Sequence, residues 1–320
     1  MMFRKSVYLF SPLMDLKIDR STEDFLLRLY YPYDGVGLKR RPKYHGLTKT
    51  WQCSCTYSKI IEQLRQHPGG SVDLLKDNNT GIATITINNP EKKNAISGKM
   101  MVDLEECVSE LENWVDGKGL ILTGKDKTFC SGGDLGTVRN ILSNGDDMCK
   151  FMHHVTTRLY NLPLISVALV DGYALGGGAE LITACDFRLI TPRAKIGFIH
   201  VKLNIGTGFG GTTRLVQQIG RIKTLQVLSS GMVMNTDLAK KIGLVDEILD
   251  NNENTLEQGK TWLLEHCKGS VTTTRVIKQM VLAGEKLDTD ASLLEERKLF
   301  KSVWGNKLHA AAVSKKSKHS

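Results

Sequence analysis

From about residue 70 onward, apolar positions recur along the chain with two alternating periods. Residues 84–87 alternate and are β-branched, which is typical of a strand. Residues 98–115 carry apolar side chains three or four positions apart, which predicts an amphipathic helix. Short, almost wholly apolar runs predict buried strands at residues 119–124, 164–170, 187–192 and 195–198. Strands that alternate with helices in this way indicate an α/β fold.

Further helices are predicted where the helical period continues, at residues 57–66, 151–162, 178–185, 212–219 and 222–229, and over most of the C-terminal third. Residues 1–55 keep no sustained period, so we expect a poorly ordered N-terminal extension. The chain then divides into this extension, a core over residues 56–260, a helical region over residues 261–313 and a basic tail over residues 314–320.

The net charge of +9 raises the question of an anionic polymer as partner, which the distribution of charge answers. Residues 1–70 hold 12 Lys or Arg against 6 Asp or Glu, and residues 314–320 hold three lysines and no acidic residue. The body between them is neutral, whereas a protein that binds the nucleic-acid backbone through charge needs basic residues on its folded surface. The distribution therefore argues against nucleic acid as a partner.

Apolar runs and cysteines bear on location. The longest run, residues 164–170, is too short to span a bilayer, so we expect no membrane segment. Four acidic residues between positions 15 and 24 are atypical of a transit peptide. The seven cysteines are odd in number and scattered, which indicates reduced thiols and no zinc site. We expect a cytosolic protein, with the mitochondrion as the alternative.

Three glycine clusters, at residues 131–134, 176–178 and 206–211, are candidates for binding chemistry. The second follows a predicted buried strand and opens a predicted helix. Amides at a helix start are unpaired and lie at the positive end of the helix dipole, so they can bind phosphate or a developing oxyanion. Tight turns in an α/β sheet are the plainer interpretation of any single cluster.

The clusters lie within longer motifs that occur in a fixed order. These are Asn89-Pro90 with Asn94-Ala95, FCSGGDL at residues 129–135, ALGGGAEL at residues 174–181, and GFGGTTRL at residues 208–215. In order and spacing, residues 70–310 resemble the crotonase superfamily, which contains the enoyl-CoA hydratases and isomerases. The resemblance implies a ClpP/crotonase α/β fold with a ββα spiral core and a helical C-terminal region.

The resemblance also implies which residues bind a thioester. In this superfamily two backbone N–H groups hold the thioester oxygen, and the matching positions are Gly133 and Gly177. The positions that match the coenzyme A contacts are Lys93, Ala95, Ser131, Asp134 and Leu135. Coenzyme A is part of the acyl-CoA substrate, so we expect no separate cofactor and no metal. Relatives assemble as trimers or hexamers, which implies a homo-oligomer.

Hydratases of the superfamily use two glutamates, and this chain matches only one of them. The first matches Glu180, one helical turn after Gly177. At the position of the second, counted back from Gly210, stands His200. Decarboxylation needs an electron sink and one proton donor, but no base to create the carbanion. One carboxyl group and one imidazole fit that chemistry better than they fit hydration.

The resemblance is strongest with members that decarboxylate branched malonyl thioesters. We therefore expect conversion of ethylmalonyl-CoA to butanoyl-CoA, and of methylmalonyl-CoA to propanoyl-CoA, which clears a side product of acyl-CoA metabolism. His200 then contacts the substrate carboxylate or protonates the α-carbon, and Glu180 is an acid/base or orienting residue. Two alternatives stay open: an enoyl-CoA hydratase or isomerase, and a non-catalytic RNA-binding relative that uses the basic ends.

Overall fold

The computed structural model of the chain describes residues 54–250 and 254–314. The predicted extension over residues 1–55 and the predicted basic tail over residues 314–320 lie outside the described residues, except for Ser54, Cys55 and Ser314, which belong to helices. The expected disorder of the extension and the role of the two basic ends stay predictions.

Two sheets organise the described chain, and the larger one forms its centre. The strands are β1 Ser71–Asp77, β2 Ile82–Asn88, β3 Gly119–Gly124, β4 Ile165–Val170, β5 Tyr173–Leu175, β6 Phe187–Ile190, β7 Lys195–Gly197, β8 Val233–Met234 and β9 Glu247–Ile248. The larger sheet has the spatial order β1, β2, β3, β4, β6, β9, and all its neighbours are parallel except the pair β1–β2. The smaller sheet holds β5, β7 and β8.

The chain moves repeatedly between the two sheets. After β4 it leaves the larger sheet to form β5, and it returns as β6 beside β4. It leaves again to form β7 and β8 before it returns as β9 beside β6. Each turn therefore adds to both sheets, which is the spiral arrangement expected from the sequence. The glycine-rich segment between β5 and β6 lies at one of these crossings.

Helices cover both faces of the larger sheet. They are α1 Ser54–Arg65, α2 Gly98–Glu112, α3 Leu135–Asn140, α4 Gly145–Asn161, α5 Gly177–Ile182, α6 Gly211–Ser230, α7 Thr236–Lys241, α8 Thr255–His266, α9 Val271–Lys286, α10 Thr289–Val303 and α11 Lys307–Ser314. The main core joins Leu104 of α2 and Phe151 of α4 to the sheet. A smaller core joins Leu263 of α8 to Ile121 and Val167. Burial on both faces explains the nearly continuous apolar sequence of the central strands.

The predicted helices are present, and their ends differ from the predicted ones. Helix α2 begins at Gly98, where Ser97 Oγ accepts a hydrogen bond from the Met100 N–H, but it ends at Glu112 instead of residue 115. The helices predicted over 212–219 and 222–229 are both present within α6, and they are separated by a kink at Gly220. The φ of +79° at Gly220 lies outside the helical region, so the two segments differ in direction as separate helices would.

The C-terminal helices extend the fold beyond the sheets. The boundary drawn between residues 260 and 261 falls inside α8, so the helical region begins at Thr255. Helix α9 is held by an ion pair between the buried Lys278 Nζ and the partly buried Asp186 carboxylate. Helices α10 and α11 bury none of their residues against the described chain. Across residues 54–250 and 254–314, no helix combines the length and the apolar character that crossing a bilayer requires.

We expect Leu122→Ala to lower the free energy of unfolding by about 2–5 kcal/mol, because it leaves a cavity in the main core. Leu122 lies in β3 and is fully buried. Leu75→Ala is the matched control, since Leu75 lies in edge strand β1 and is 69% exposed. It is expected to cost less than about 0.5 kcal/mol. Equal losses for the two variants in chemical denaturation would contradict this assignment of the core.

Candidate active site

Two glycine-rich loops meet where β5 passes the segment after β3. The N–H of Cys130 donates to the Tyr173 carbonyl at 2.8 Å, and the N–H of Leu175 donates to the Cys130 carbonyl at 2.9 Å. These bonds place Gly132 against the second loop, since a Cβ built on Gly132 would lie 3.5 Å from the Gly177 nitrogen. Gly132 has a φ of +109°, which favours glycine there.

The N–H groups of Gly133 and Gly177 meet no acceptor within residues 54–250 and 254–314. Gly133 lies between two backbone hydrogen bonds of 2.8 Å, one from the Ile96 N–H to the Gly132 carbonyl and one from the Asp134 N–H to the Ile96 carbonyl. Gly177 is the first residue of α5, whose first amides have no acceptor inside the helix. Two unpaired donors on loops in contact can bind one oxygen together.

The ring of Phe209 lies against Gly177 and closes one side of this region. A Cβ built on Gly177 would approach the Phe209 ring to 2.7 Å, so only glycine fits. Phe209 itself is buried. Helix α5 begins at this glycine, one residue before the predicted start.

Glu180, in the first turn of α5, holds the third glycine loop. Its side chain is 1% exposed. Oε1 accepts a hydrogen bond from the Gly208 N–H at 3.0 Å, and Oε2 accepts one from the Phe209 N–H and one from the Gly211 N–H, both at 2.8 Å. Three amides that point at one side chain suit a carboxylate, which only accepts. The glycine cluster at residues 206–211 therefore binds an internal anion.

His200 lies next to Glu180. It lies in a short 3₁₀ helix, Ile199–Leu203, that follows β7. Its Nε2 lies 2.9 Å from Glu180 Oε1, and a proton on Nε2 would be donated to this carboxylate. Its Nδ1 is buried and has no hydrogen-bond partner in the part of the chain that the structure describes. A buried polar atom without a partner is rare and calls for an explanation, such as a bound ligand.

Arg214 is a buried cation near this pair, and no feature of the sequence indicates a role for it. Burial lowers the pKa of its guanidinium to about 10, and the nearby Glu180 carboxylate acts in the opposite direction. Arg214 therefore stays charged at neutral pH. The residue is part of the motif GFGGTTRL, but nothing in a linear motif shows that it is buried behind the loop.

The residues predicted to contact coenzyme A lie around Gly133. The Lys93 carbonyl accepts a hydrogen bond from the Ser131 N–H at 3.0 Å, Ala95 is buried nearby, and Leu135 opens α3 with an exposed side chain. Asp134 is already engaged inside the protein, since Oδ1 accepts from the Thr137 N–H. Contact of all five with coenzyme A stays a prediction.

Lys92, which the sequence analysis did not single out, pairs with Asp134. Its Nζ lies 2.8 Å from Asp134 Oδ2. The hydrogen bond from Lys92 is the main cause that lowers the pKa of the Asp134 carboxyl group. Asp134 thus acts as a helix cap and as a partner for this cation, and both of its oxygens have protein donors. Within the described residues, no group of three His, Cys, Asp or Glu side chains is placed to hold a metal.

We expect Glu180→Gln to release the loop at residues 206–211. A glutamine has one acceptor oxygen, so at least one loop amide is left buried and unpaired, which costs about 1–3 kcal/mol. Hydrogen exchange at the amides of Gly208, Phe209 and Gly211 should then become faster. Glu106→Gln serves as the control, because Glu106 forms an exposed ion pair with Arg65. Unchanged exchange at the three amides would contradict the proposed hold of Glu180 on the loop.

Comparison with known proteins gives consistent matches over the described part of the chain. The sequence profile of the enoyl-CoA hydratase/isomerase family matches residues 77–314. The ethylmalonyl-CoA decarboxylase of Homo sapiens is 46% identical over 264 residues, which cover 81% of this chain and 86% of the relative. That of Xenopus laevis is 44% identical over 265 residues, which cover 82% and 88%.

Solved structures match as well. The enoyl-CoA hydratase of Thermoplasma volcanium GSS1 has a TM-score of 0.69 and 26% identity, over 77% of this chain and 97% of that chain. The enoyl-CoA hydratase of Bacillus anthracis has a TM-score of 0.69 and 25% identity, over 77% and 95%. The arrangement of sheets and helices described above is thus shared with these enzymes.

Proposed function

The chain belongs to the enoyl-CoA hydratase/isomerase family and has the predicted crotonase fold, and on this premise we propose that it decarboxylates ethylmalonyl-CoA to butanoyl-CoA. The proposal is supported by relatives that carry the name ethylmalonyl-CoA decarboxylase. One observation of the structure carries it further. Gly177, one of the two glycines with unpaired amides, begins the helix whose first turn carries Glu180, and Glu180 Oε1 lies 2.9 Å from His200 Nε2. The sequence resemblance implies a second glutamate at the position of His200 in the hydratases.

The two amides serve the step in which CO2 leaves. The bond between the α-carbon and the carboxylate carbon breaks, and its electron pair passes through the α-carbon to the thioester oxygen. The oxygen of the resulting enolate accepts hydrogen bonds from the Gly133 and Gly177 N–H groups, and the latter is reinforced by the start of α5. Each such donor contributes about 2.7–4 kcal/mol to transition-state stabilisation.

His200 serves the steps before and after the loss of CO2. The contact of 2.9 Å between Nε2 and Glu180 Oε1 orients the ring, and Nδ1 is left without a partner in the described residues. When the ring is protonated, its Nδ1–H first binds the substrate carboxylate, and after CO2 has left it delivers its proton to the α-carbon. The thioester carbonyl then re-forms, and butanoyl-CoA is complete.

Glu180 is assigned an orienting role. Three amides and the imidazole converge on its two oxygens, which fills the capacity of a carboxylate for hydrogen bonds. A carboxylate held in this way is not free to position a water molecule, as the chemistry of hydration requires. This favours decarboxylation over the hydratase or isomerase alternative.

The proposed reaction uses no separate cofactor, because the thioester is its own electron sink. Methylmalonyl-CoA is the second substrate. We propose that the protein removes a metabolic side product in the cytosol. The cytosolic location agrees with the free state of the cysteines in the described residues, which are Cys107, Cys130, Cys149, Cys185 and Cys267. Nucleic acid takes no part in this function.

A test of the activity compares CO2 release from ethylmalonyl-CoA and methylmalonyl-CoA with hydration of crotonyl-CoA. We expect CO2 release from both malonyl thioesters, ethylmalonyl-CoA first, and little hydration. His200→Ala should lower the rate of CO2 release by about 10²–10⁴-fold, because it removes the proton donor. His266→Ala is the control, since His266 lies on α8 and stacks on Trp262. Hydration without CO2 release would favour the alternative function.

We also propose a homo-oligomer, trimeric or hexameric. Apolar side chains are exposed on the last three helices and in the turn between the last two. They include Val281, Leu293, Phe300 and Leu308 on the helices and Trp304 in the turn. Exposed apolar surface of this kind is common at protein interfaces. Sedimentation velocity should give three or six times the chain mass of 35.6 kDa. Trp304→Glu is expected to shift the protein toward the monomer, and Val115→Glu, at an exposed position after α2, is not. A monomer at all concentrations would contradict the assembly.

A further inference from the structure

The peptide group of Phe209 is held on both sides by buried groups. Its N–H donates to Glu180 Oε2 at 2.8 Å. Its carbonyl accepts a hydrogen bond from Thr156 Oγ1 at 2.9 Å and a second from Arg214 Nη2. All four residues are buried, so water does not compete for these bonds. The position of the Phe209 backbone is therefore fixed from two directions.

Arg214 joins this carbonyl to the helix that carries the site. Its Nε donates to Thr183 Oγ1 at 3.0 Å, and Thr183 Oγ1 in turn donates to the Glu180 carbonyl at 2.6 Å. Thr183 directly follows α5, whose first turn contains Gly177 and Glu180. The planar guanidinium thus spans the gap between the end of α5 and the loop at residues 206–211.

The guanidinium is buried at a cost that ordinary packing does not explain. Arg214 forms no ion pair with a carboxylate within residues 54–250 and 254–314. Its donors meet a carbonyl and a hydroxyl, and a buried charge without a direct partner is expensive. The Glu180 carboxylate is near enough to offset part of the cost, since it raises the pKa of Arg214 against the effect of burial.

Arg214 holds the Phe209 backbone, and Phe209 lies next to the proposed enolate site. The Phe209 ring is in contact with Gly177, the residue whose N–H is proposed to bind the enolate oxygen. A shift of the Phe209 backbone would move this ring and loosen the amide bonds to Glu180. Misplacement by about 1 Å, from a change remote from the chemistry, is enough to cost roughly 10²-fold in rate.

We propose that Arg214 is a positioning residue for the reaction. It holds the Phe209 carbonyl and the Thr183 hydroxyl at a fixed separation, so that the Phe209 ring stays against Gly177 and the loop amides stay on Glu180. This inference rests on the proposed function, since it assigns Gly177 the enolate oxygen. The forked geometry of the guanidinium, and not its charge alone, is what the position requires.

The test compares Arg214→Lys, which keeps the charge and loses the fork, with Arg188→Lys. Arg188 is the matched control because it too is buried and donates to main-chain carbonyls, those of Leu244 and Cys185, elsewhere in the fold. For Arg214→Lys we expect kcat for CO2 release to fall 10-fold to 100-fold, with KM changed by less than threefold. For Arg188→Lys we expect lower thermal stability and an unchanged kcat.

A second measurement separates this inference from the proposed function. Hydrogen exchange at the amides of Phe209 and Gly211 should become faster in Arg214→Lys and stay unchanged in Arg188→Lys, whatever reaction the wild type catalyses. Failure of the wild type to release CO2 would overturn the proposed function alone. Wild-type exchange at both amides together with wild-type kcat in Arg214→Lys would overturn the role of Arg214.

A third variant covers the case in which Arg214→Lys does not fold. Thr183→Val keeps the shape of the side chain and removes the hydroxyl that Arg214 Nε contacts. We expect it to lower kcat threefold to tenfold without an equal change in KM. A wild-type kcat in this variant would overturn the inference, because the guanidinium would then need only one of its two contacts.

Discussion

The site depends on the interactions of one buried carboxylate, that of Glu180. It sits in the first turn of α5, accepts hydrogen bonds from three amides of the loop at residues 206–211, and binds His200 through the imidazole Nε2. An isolated carboxylate at such depth would be very costly. Here the cost is offset by four donors, by the start of a helix and by the nearby cation of Arg214.

The glycine cluster at residues 206–211 binds the Glu180 carboxylate, whereas its composition suggested a site for a phosphate or an oxyanion. A Cβ built on Gly211 would lie 2.9 Å from Glu180 Oε2, so the absence of a side chain is what lets the amide reach the oxygen. The loop amides therefore serve an internal anion and not a phosphate. The same bonds bring Phe209 against Gly177, so one buried charge fixes both the proton donor and the wall beside the enolate site.

The sequence predicts a large share of the fold, because the apolar periods of strands and helices are local properties. The break between residues 219 and 222, for example, follows from Gly220. Helix α2 shows the limit: Val115 continues the apolar period, yet the helix ends at Glu112 and Val115 is exposed. The spacing of apolar residues does not show where the chain turns away from the core.

The sequence likewise indicates one part of the candidate site and does not reveal the other. The motifs single out Gly133, Gly177, Glu180 and His200, and the structure brings Glu180 Oε1 to 2.9 Å from His200 Nε2. The sequence does not reveal that Glu180 is saturated by amides 28 to 31 positions away, or that Arg214 lies behind them. Such contacts depend on how the turns of the spiral stack, which no local pattern encodes.

The most direct measurement is a crystal structure with a coenzyme A thioester analogue in which a stable nitronate replaces the enolate. The proposed mechanism predicts that the anionic oxygen lies about 2.7–3.1 Å from both the Gly133 and the Gly177 nitrogen. It also predicts that His200 Nδ1 faces the α-carbon while Glu180 keeps its three amide bonds. A Glu180 carboxylate that leaves the loop to contact the analogue directly, or an anionic oxygen bound away from the two glycines, would contradict it.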